Sequence, residues 1–149
     1  MGLEAKRWQA VENEVDIMKG LGSKIIKGLQ TGSRMVCNDN SGAKIVAIIG
    51  VAGAKAKRAM YPKVGIGDVV TVAVKKGTVA MKKKVLKGLI VRQRQTFRRP
   101  NGVRISFEDN ACVIIDDQGL PVGTEIKGVI AREVAVRYPK VAAIAAAVV

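Results

Sequence analysis

From residue 33 onward the chain is a succession of short β-branched runs, each closed off by glycine, asparagine or proline. The runs are Arg34 to Cys37, Lys44 to Val51, Asp68 to Val74, Val85 to Arg94, Val103 to Phe107 and Ala111 to Ile115. Runs this short, rich in valine and isoleucine and bounded by turn residues, predict strands rather than helices. Asn38-Asp39-Asn40-Ser41-Gly42 lies between the first two and is dense in residues that tolerate left-handed and turn geometry, so a tight hairpin is expected there. Arg98-Arg99-Pro100-Asn101-Gly102 lies between the fourth and fifth runs. Its proline fixes one turn position and Asn-Gly supplies positive φ, which predicts a second hairpin with a basic tip. Antiparallel strands in so short a chain leave exposed edges unless the sheet closes, so the expectation is a small antiparallel barrel of five or six strands.

The rest of the 149 residues frames that barrel as a single domain. After the turn cluster Gly119 to Gly123, Ile130-Ala131-Arg132-Glu133-Val134 and the alanine-rich end Val141 to Val149 predict two short helices broken at Tyr138-Pro139. Near the start, Trp8, Val11, Val15 and Met18 recur at spacings of three and four, the pattern of a weak amphipathic helix leading into a Gly-Lys-rich connector. Residues 1–22 are therefore expected to be an extension, helical or poorly ordered, and residues 23–149 the domain.

Charge is what singles out a function. The chain carries 26 Lys and Arg against 12 Asp and Glu, a net +14. Residues 33 to 104 hold seventeen of the cations and only Asp39 and Asp68 as acids, a net of +15; the flanking segments contribute +1 and −2. Self-repulsion on that scale opposes compaction and is tolerable where phosphates supply the counter-charge, so a polyanionic partner is expected. Five scattered aromatics are too few for a base-stacking sheet. What remains is backbone reading by cations on loops and hairpin tips. The candidate RNA contacts are Lys44 beside the first turn, Lys55, Lys57, Arg58 and Lys63 in one long loop, the triplet Lys82, Lys83 and Lys84, and the arginine-rich arm Arg92, Arg94, Arg98 and Arg99.

Whole classes of mechanism are excluded. The chain has no histidine, so imidazole triads and zinc hydrolases are ruled out, and two cysteines alone make no zinc finger. Cys37 and Cys112 sit in apolar stretches and read as reduced core thiols, with one disulfide as the alternative. Gly50 to Lys55 lacks the spacing of a phosphate loop, and the doublets Glu108-Asp109 and Asp116-Asp117 have no nucleophile beside them in sequence. No cofactor and no metal are expected. The longest uninterrupted apolar run, Val141 to Val149, is about half of what a spanning helix needs, and four acids near the start stand where a signal peptide would be apolar. A cytoplasmic protein without a membrane partner is expected.

Several spaced motifs carry a family resemblance: Asn38 to Lys44, Gly65-x-Gly67-Asp68, Gly88-Leu89-Ile90-Val91-Arg92, Arg98 to Gly102, Phe107 to Ile114, Pro121-x-Gly123-Thr124, and Gly128 followed by Ala131-Arg132-Glu133. In this order, from about residue 23 to residue 149, they resemble the universal large-subunit ribosomal protein L-fourteen family. Tyr61-Pro62-Lys63 and the alanine-rich ending are more like its archaeal and eukaryotic members. The resemblance implies a mainly β fold: a small five-stranded antiparallel β-barrel with a basic β-hairpin and short C-terminal α-helices. It implies a non-enzymatic constituent of the large subunit that binds large-subunit rRNA and contributes to inter-subunit bridges with small-subunit rRNA. Its implied neighbours are ribosomal protein L-three and, in archaea, an L-twenty-four-type protein, and its exposed face would receive a subunit anti-association factor. By position, Gly123, Thr124 and Glu125 fall on the loop near the subunit interface. Two departures stand out: Val129 where many members have proline, and residues 1 to about 17, read as a lineage-specific extension or an upstream start before Met18. The alternatives are a free-standing translation-associated RNA-binding factor and an RNA-modifying or RNA-cleaving enzyme, the latter disfavoured by the missing histidine.

Overall fold

The computed structural model describes residues 23–54 and 60–149. In chain order its strands are β1 (Leu29–Gln30), β2 (Arg34–Cys37), β3 (Ala43–Val51), β4 (Lys63–Val64), β5 (Val69–Gly77), β6 (Val85–Arg92), β7 (Phe97–Arg98), β8 (Arg104–Ile105), β9 (Ala111–Ile115) and β10 (Ile126–Ile130). Helices α1 (Arg132–Arg137) and α2 (Pro139–Ala143) follow, and then β11 (Ala145–Val148). Five of the strands close into a barrel in the order β2-β3-β5-β6-β9. The predicted amphipathic helix around Trp8 to Met18 and the extension 1–22 lie outside the described residues.

One seam corrects the expectation of a uniformly antiparallel barrel. Strands β2 and β9 run parallel, with Val36 beside Ala111 and Cys37 beside Cys112. The reason is parity: directions cannot alternate all the way round a closed ring of five, so one neighbouring pair has to be parallel. The other four pairings are antiparallel.

Side chains on successive strand residues point to opposite faces, and this period of two builds two cores. Inside the barrel lie Met35, Val46, Ile48, Val70, Val72, Val74, Ile90, Cys112 and Ile114. On its outer wall, Leu89, Val91, Ala111, Val113 and Ile115 form the second core with Ile126, Ile130, Val134, Tyr138 and Val141. Strands β6 and β9 are thus covered on both faces, which is why Ala111–Ile115 is apolar at every position, whereas β2 alternates exposed and buried. Cys37 and Cys112 are free and buried.

The second core explains the C-terminal elements. Helices of six and five residues have little stability alone. They hold because Val134 and Val141 are fully buried against the barrel, each contributing about 1.5–3 kcal/mol. Pro139 starts α2, where its missing N–H costs nothing. The alanine-rich end departs from the predicted helix: after Ala143 the chain straightens into β11 and pairs in parallel with β10, Ile126 beside Ala145 and Ile130 beside Val148. Alanine is the best helix former, but propensity is weak against tertiary context, and the strand edge offered by β10 decides the conformation.

The predicted hairpins fare differently. Strands β2 and β3 pair across Asn38–Gly42 as expected. The basic hairpin is shorter than its flanking runs suggested. Only Phe97–Arg98 and Arg104–Ile105 pair, because Val85–Arg92 is already taken by β5 and β9 in the barrel wall.

Candidate nucleic-acid interface

Strand directions sort the candidate residues between the two ends of the barrel. At one end lie the turn Asn38–Gly42, the β5–β6 connection that carries Lys82, Lys83 and Lys84, and the loop Gly123–Glu125. The first two touch where Thr78 N–H donates to the Gly42 carbonyl at 2.9 Å. At the other end lie Lys63 on β4 and the basic hairpin, which follows the end of β6. The lysine triplet and the arginine-rich arm are therefore not gathered into one patch.

All three lysines of the triplet are exposed, as is Lys44 on β3. Their backbone is fixed. Lys83 N–H donates to the Val74 carbonyl at 3.1 Å and Lys82 N–H to Thr78 O at 2.9 Å, with Lys83 held at φ 67°, a conformation unusual for a side-chain-bearing residue. At the opposite end Lys63, Arg94 and Arg98 are exposed. Arg94 is anchored through its backbone: its N–H donates to Asn110 Oδ1 at 2.9 Å and its carbonyl accepts from Ser106 Oγ at 2.8 Å, which leaves the guanidinium outside. Lys55, Lys57 and Arg58 lie outside the described residues.

The structure gives Arg92 and Arg99, two of the four arginines expected on the arm, internal partners. Arg92 is buried, with Nη2 donating to Asp109 Oδ2 at 2.9 Å and Nη1 to the Val129 carbonyl at 3.1 Å. Gly128 makes room for it: at φ 115° any other residue is strained, and a Cβ there would lie 2.7 Å from Arg92 Nη1 and have to displace it. Arg99 is buried as well. It binds Glu133 in a two-pronged pair, Nε to Oε1 at 2.8 Å and Nη2 to Oε2 at 3.1 Å, and Nη2 also donates to the Val149 carbonyl at 2.7 Å. Ser23 Oγ donates to the same Glu133 carboxylate at 2.9 Å. Burial raises the Glu133 pKa, but the bonds from Arg99, its own backbone and Ser23 outweigh that and hold it below the ordinary carboxylate value. Arg99 thus ties the hairpin tip to α1 and β11. Sequence reasoning mistook two structural cations for surface ones because their acids, Asp109 and Glu133, lie 17 and 34 residues away.

The loop expected at the subunit interface is held by a residue not singled out from the sequence. Asn40 Nδ2 donates to Thr124 Oγ1 at 2.6 Å, and Asn40 Oδ1 accepts from the N–H of Thr124 at 2.8 Å. Gly123 is buried beneath; a Cβ there would lie 2.7 Å from Asn40 Oδ1. Asp39, also buried, accepts from Ile114 N–H at 2.9 Å and from Ser41 N–H at 3.2 Å, which locks the turn that presents Asn40. Thr124 and Glu125 remain exposed on a braced surface. The signal in the sequence was the Asn-Asp-Asn run itself, read as a turn but equally a set of backbone-binding side chains.

Residues 33–104 hold only two acids against seventeen cations, and both acids are engaged internally. Asp39 is spent on the turn. Asp68 accepts from Gly65 N–H at 2.9 Å and pairs with Lys27 Nζ at 3.2 Å, a cation from outside the segment. Among the described residues no cluster of three or more Cys, Asp or Glu is placed to hold a metal ion, and no helix is long and apolar enough to cross a membrane.

Comparison with known proteins gives the chain a family. Residues 28–149 match the family described as ribosomal protein L14p/L23e. A protein named large ribosomal subunit protein uL14 from Methanocorpusculum labreanum is 53% identical over 132 residues, covering 89% of this chain and all of that relative. Proteins of the same name from Methanospirillum hungatei and Halorubrum lacusprofundi are 48% and 51% identical over the same coverage. The archaeal character expected from the sequence agrees with these relatives. The chain belongs to the ribosomal protein L14p/L23e family.

Proposed function

We propose that the chain is a constituent of the large ribosomal subunit that binds large-subunit rRNA through phosphate contacts. As a member of a ribosomal protein family it is structural and non-enzymatic. The observation that supports the RNA reading is the commitment of both Asp39 and Asp68 to internal bonds, so that no free carboxylate from residues 33–104 offsets its exposed cations. Lys44, Lys63, Lys82, Lys83, Lys84, Arg94 and Arg98 are the contacting groups in this reading, carried on the barrel and on the connections and small sheets that flank it. Arg92 and Arg99 serve instead to hold the hairpin and the C-terminal elements in place.

The braced loop Gly123-Thr124-Glu125 is proposed to face the small subunit and its rRNA. A rigid surface with a small hydroxyl lets a partner approach closely, and the acids Glu125, Asp116 and Asp117 nearby in sequence make phosphate attraction a poor description of it. Ribosomal protein L-three, an L-twenty-four-type protein and a subunit anti-association factor are the proposed protein partners, and the ribosome is the proposed location. The test is co-sedimentation with large subunits in a density gradient after a high-salt wash. A constituent stays with the particle. A chain that washes off and sediments free is an accessory factor, and the proposal fails.

A further inference from the structure

A groove of about 320 Å³ runs along the outer wall of the barrel where β2, β3 and β5 meet the loop before β9. Arg34, Lys75, Lys76 and Arg94 line it, all four exposed, over an apolar floor that includes Val36. Three of these cations were not singled out from the sequence. They stand on strands rather than in the loops where phosphate contacts were sought: Arg34 and Lys75 at outward positions set by the period of two, and Lys76 exposed where the β3–β5 register shifts between Ile45 and Val46. The acids in the groove do not cancel them: Asp109 is paired with Arg92 at 2.9 Å, and Glu108 is the one carboxylate in the lining left without a salt-bridge partner.

The position of the groove matters more than its charge count. Lys75 and Lys76 end β5, next to the connection carrying Lys82, Lys83 and Lys84, whose Lys84 carbonyl accepts from Val74 N–H at 3.0 Å. Arg34 begins β2 opposite Ala47 in the middle of β3, and Arg94 follows β6 toward the basic hairpin. The groove therefore runs from beside the triplet toward the hairpin side of the barrel. Four residues of strand span about 13 Å, room for a few nucleotides.

We propose that this groove is a phosphate track: a stretch of RNA backbone lies along the β2–β3–β5 wall, so that the triplet end and the hairpin end grip one continuous RNA surface. The proposal rests on the rRNA-binding reading and adds the site. Fork-shaped arginines at the hairpin end and point-charge lysines at the triplet end both suit phosphate oxygens, and the apolar floor accepts sugar and base faces without leaving a polar group unpaired.

The test uses the full chain and transcribed large-subunit rRNA from Methanocorpusculum labreanum, the source of one relative. In the unaltered protein, bound RNA should protect Lys75 and Lys76 from acetylation while Lys140 stays reactive. The triple variant Arg34→Ala/Lys75→Ala/Lys76→Ala should lower the slope of log affinity against log salt by about two to three, roughly one for each phosphate that is no longer neutralised. A control that removes the same charge elsewhere, Lys87→Ala/Lys127→Ala/Lys140→Ala, should change the slope by less than one. Glu108→Gln should tighten binding a few-fold. Unprotected Lys75 and Lys76, or equal losses in the two triple variants, overturns the track while leaving rRNA binding standing. Failure of the unaltered protein to bind the RNA even at low salt removes both.

Discussion

Replacing Arg99 by alanine separates a structural arginine from its exposed neighbour Arg98. The side chains of Arg99 and Glu133 are only 9% and 5% exposed, so neither charge is appreciably screened by solvent. Removing one member of such a pair strands the other, at a cost of about 3–5 kcal/mol. The Val149 carbonyl is left without its donor too, and the guanidinium no longer sits over the Phe97 ring, 5.8 Å from its centroid. For a domain of this size that loss lowers the melting temperature by about 6–20 °C. Thermal unfolding followed by circular dichroism measures it directly. Arg98→Ala, one residue away but exposed, should stay within about 0.5 kcal/mol of the unaltered protein. The double variant Arg99→Met/Glu133→Leu should regain most of the loss, because it leaves no buried charge unpaired. The pair also sets a pH signature. Glu133 has its folded pKa below its ordinary 4.5, so its contribution is complete above that value and is lost as pH falls through the lower folded value. Arg99→Ala should flatten this part of the acid-stability curve. Equal melting temperatures for Arg98→Ala and Arg99→Ala would refute the structural assignment.

Three further outcomes follow from the geometry. Asn40→Ala removes the brace under Thr124 and should cost about 1–2 kcal/mol while speeding hydrogen exchange at the Thr124 amide; unchanged exchange there would show that the loop holds itself. Gly128→Ala forces a methyl against Arg92 at φ 115° and should destabilise by about 2–4 kcal/mol in urea unfolding; a neutral result would mean Arg92 is free to move. The triple change of Lys82, Lys83 and Lys84 to alanine should leave stability within about 1 kcal/mol while lowering the salt slope of rRNA binding by about two to three; a loss of folding with no change in slope would assign the triplet to the turn alone.

The strands of the barrel were legible because each β-branched run is short and closed by turn residues, a purely local signal. Local too were the helix break at Tyr138-Pro139 and the turn at Asn38–Gly42. The parallel seam was implicit in the number of strands, since five cannot close with every neighbour antiparallel. What sequence could not give was any property decided by a distant partner. The alanines of β11 become a strand because β10 lies beside them. Arg92 and Arg99 look like Arg94 and Arg98 until Asp109 and Glu133 are brought in by the fold. Arg34, Lys75 and Lys76 look like ordinary strand-edge charges until β2 and β5 place them around one groove. Charge counting points to a class of partner, and folding decides which charges stay exposed.

The most direct test of the account is the salt dependence of the unaltered protein's affinity for large-subunit rRNA. If about six to ten phosphates are engaged, log affinity falls with log salt at a slope of about −5 to −9, a loss of about three to five orders of magnitude between 50 and 200 mM. A slope near zero, with binding intact, would mean that the exposed cations of residues 33–104 do not meet phosphates, and would contradict the account at its centre.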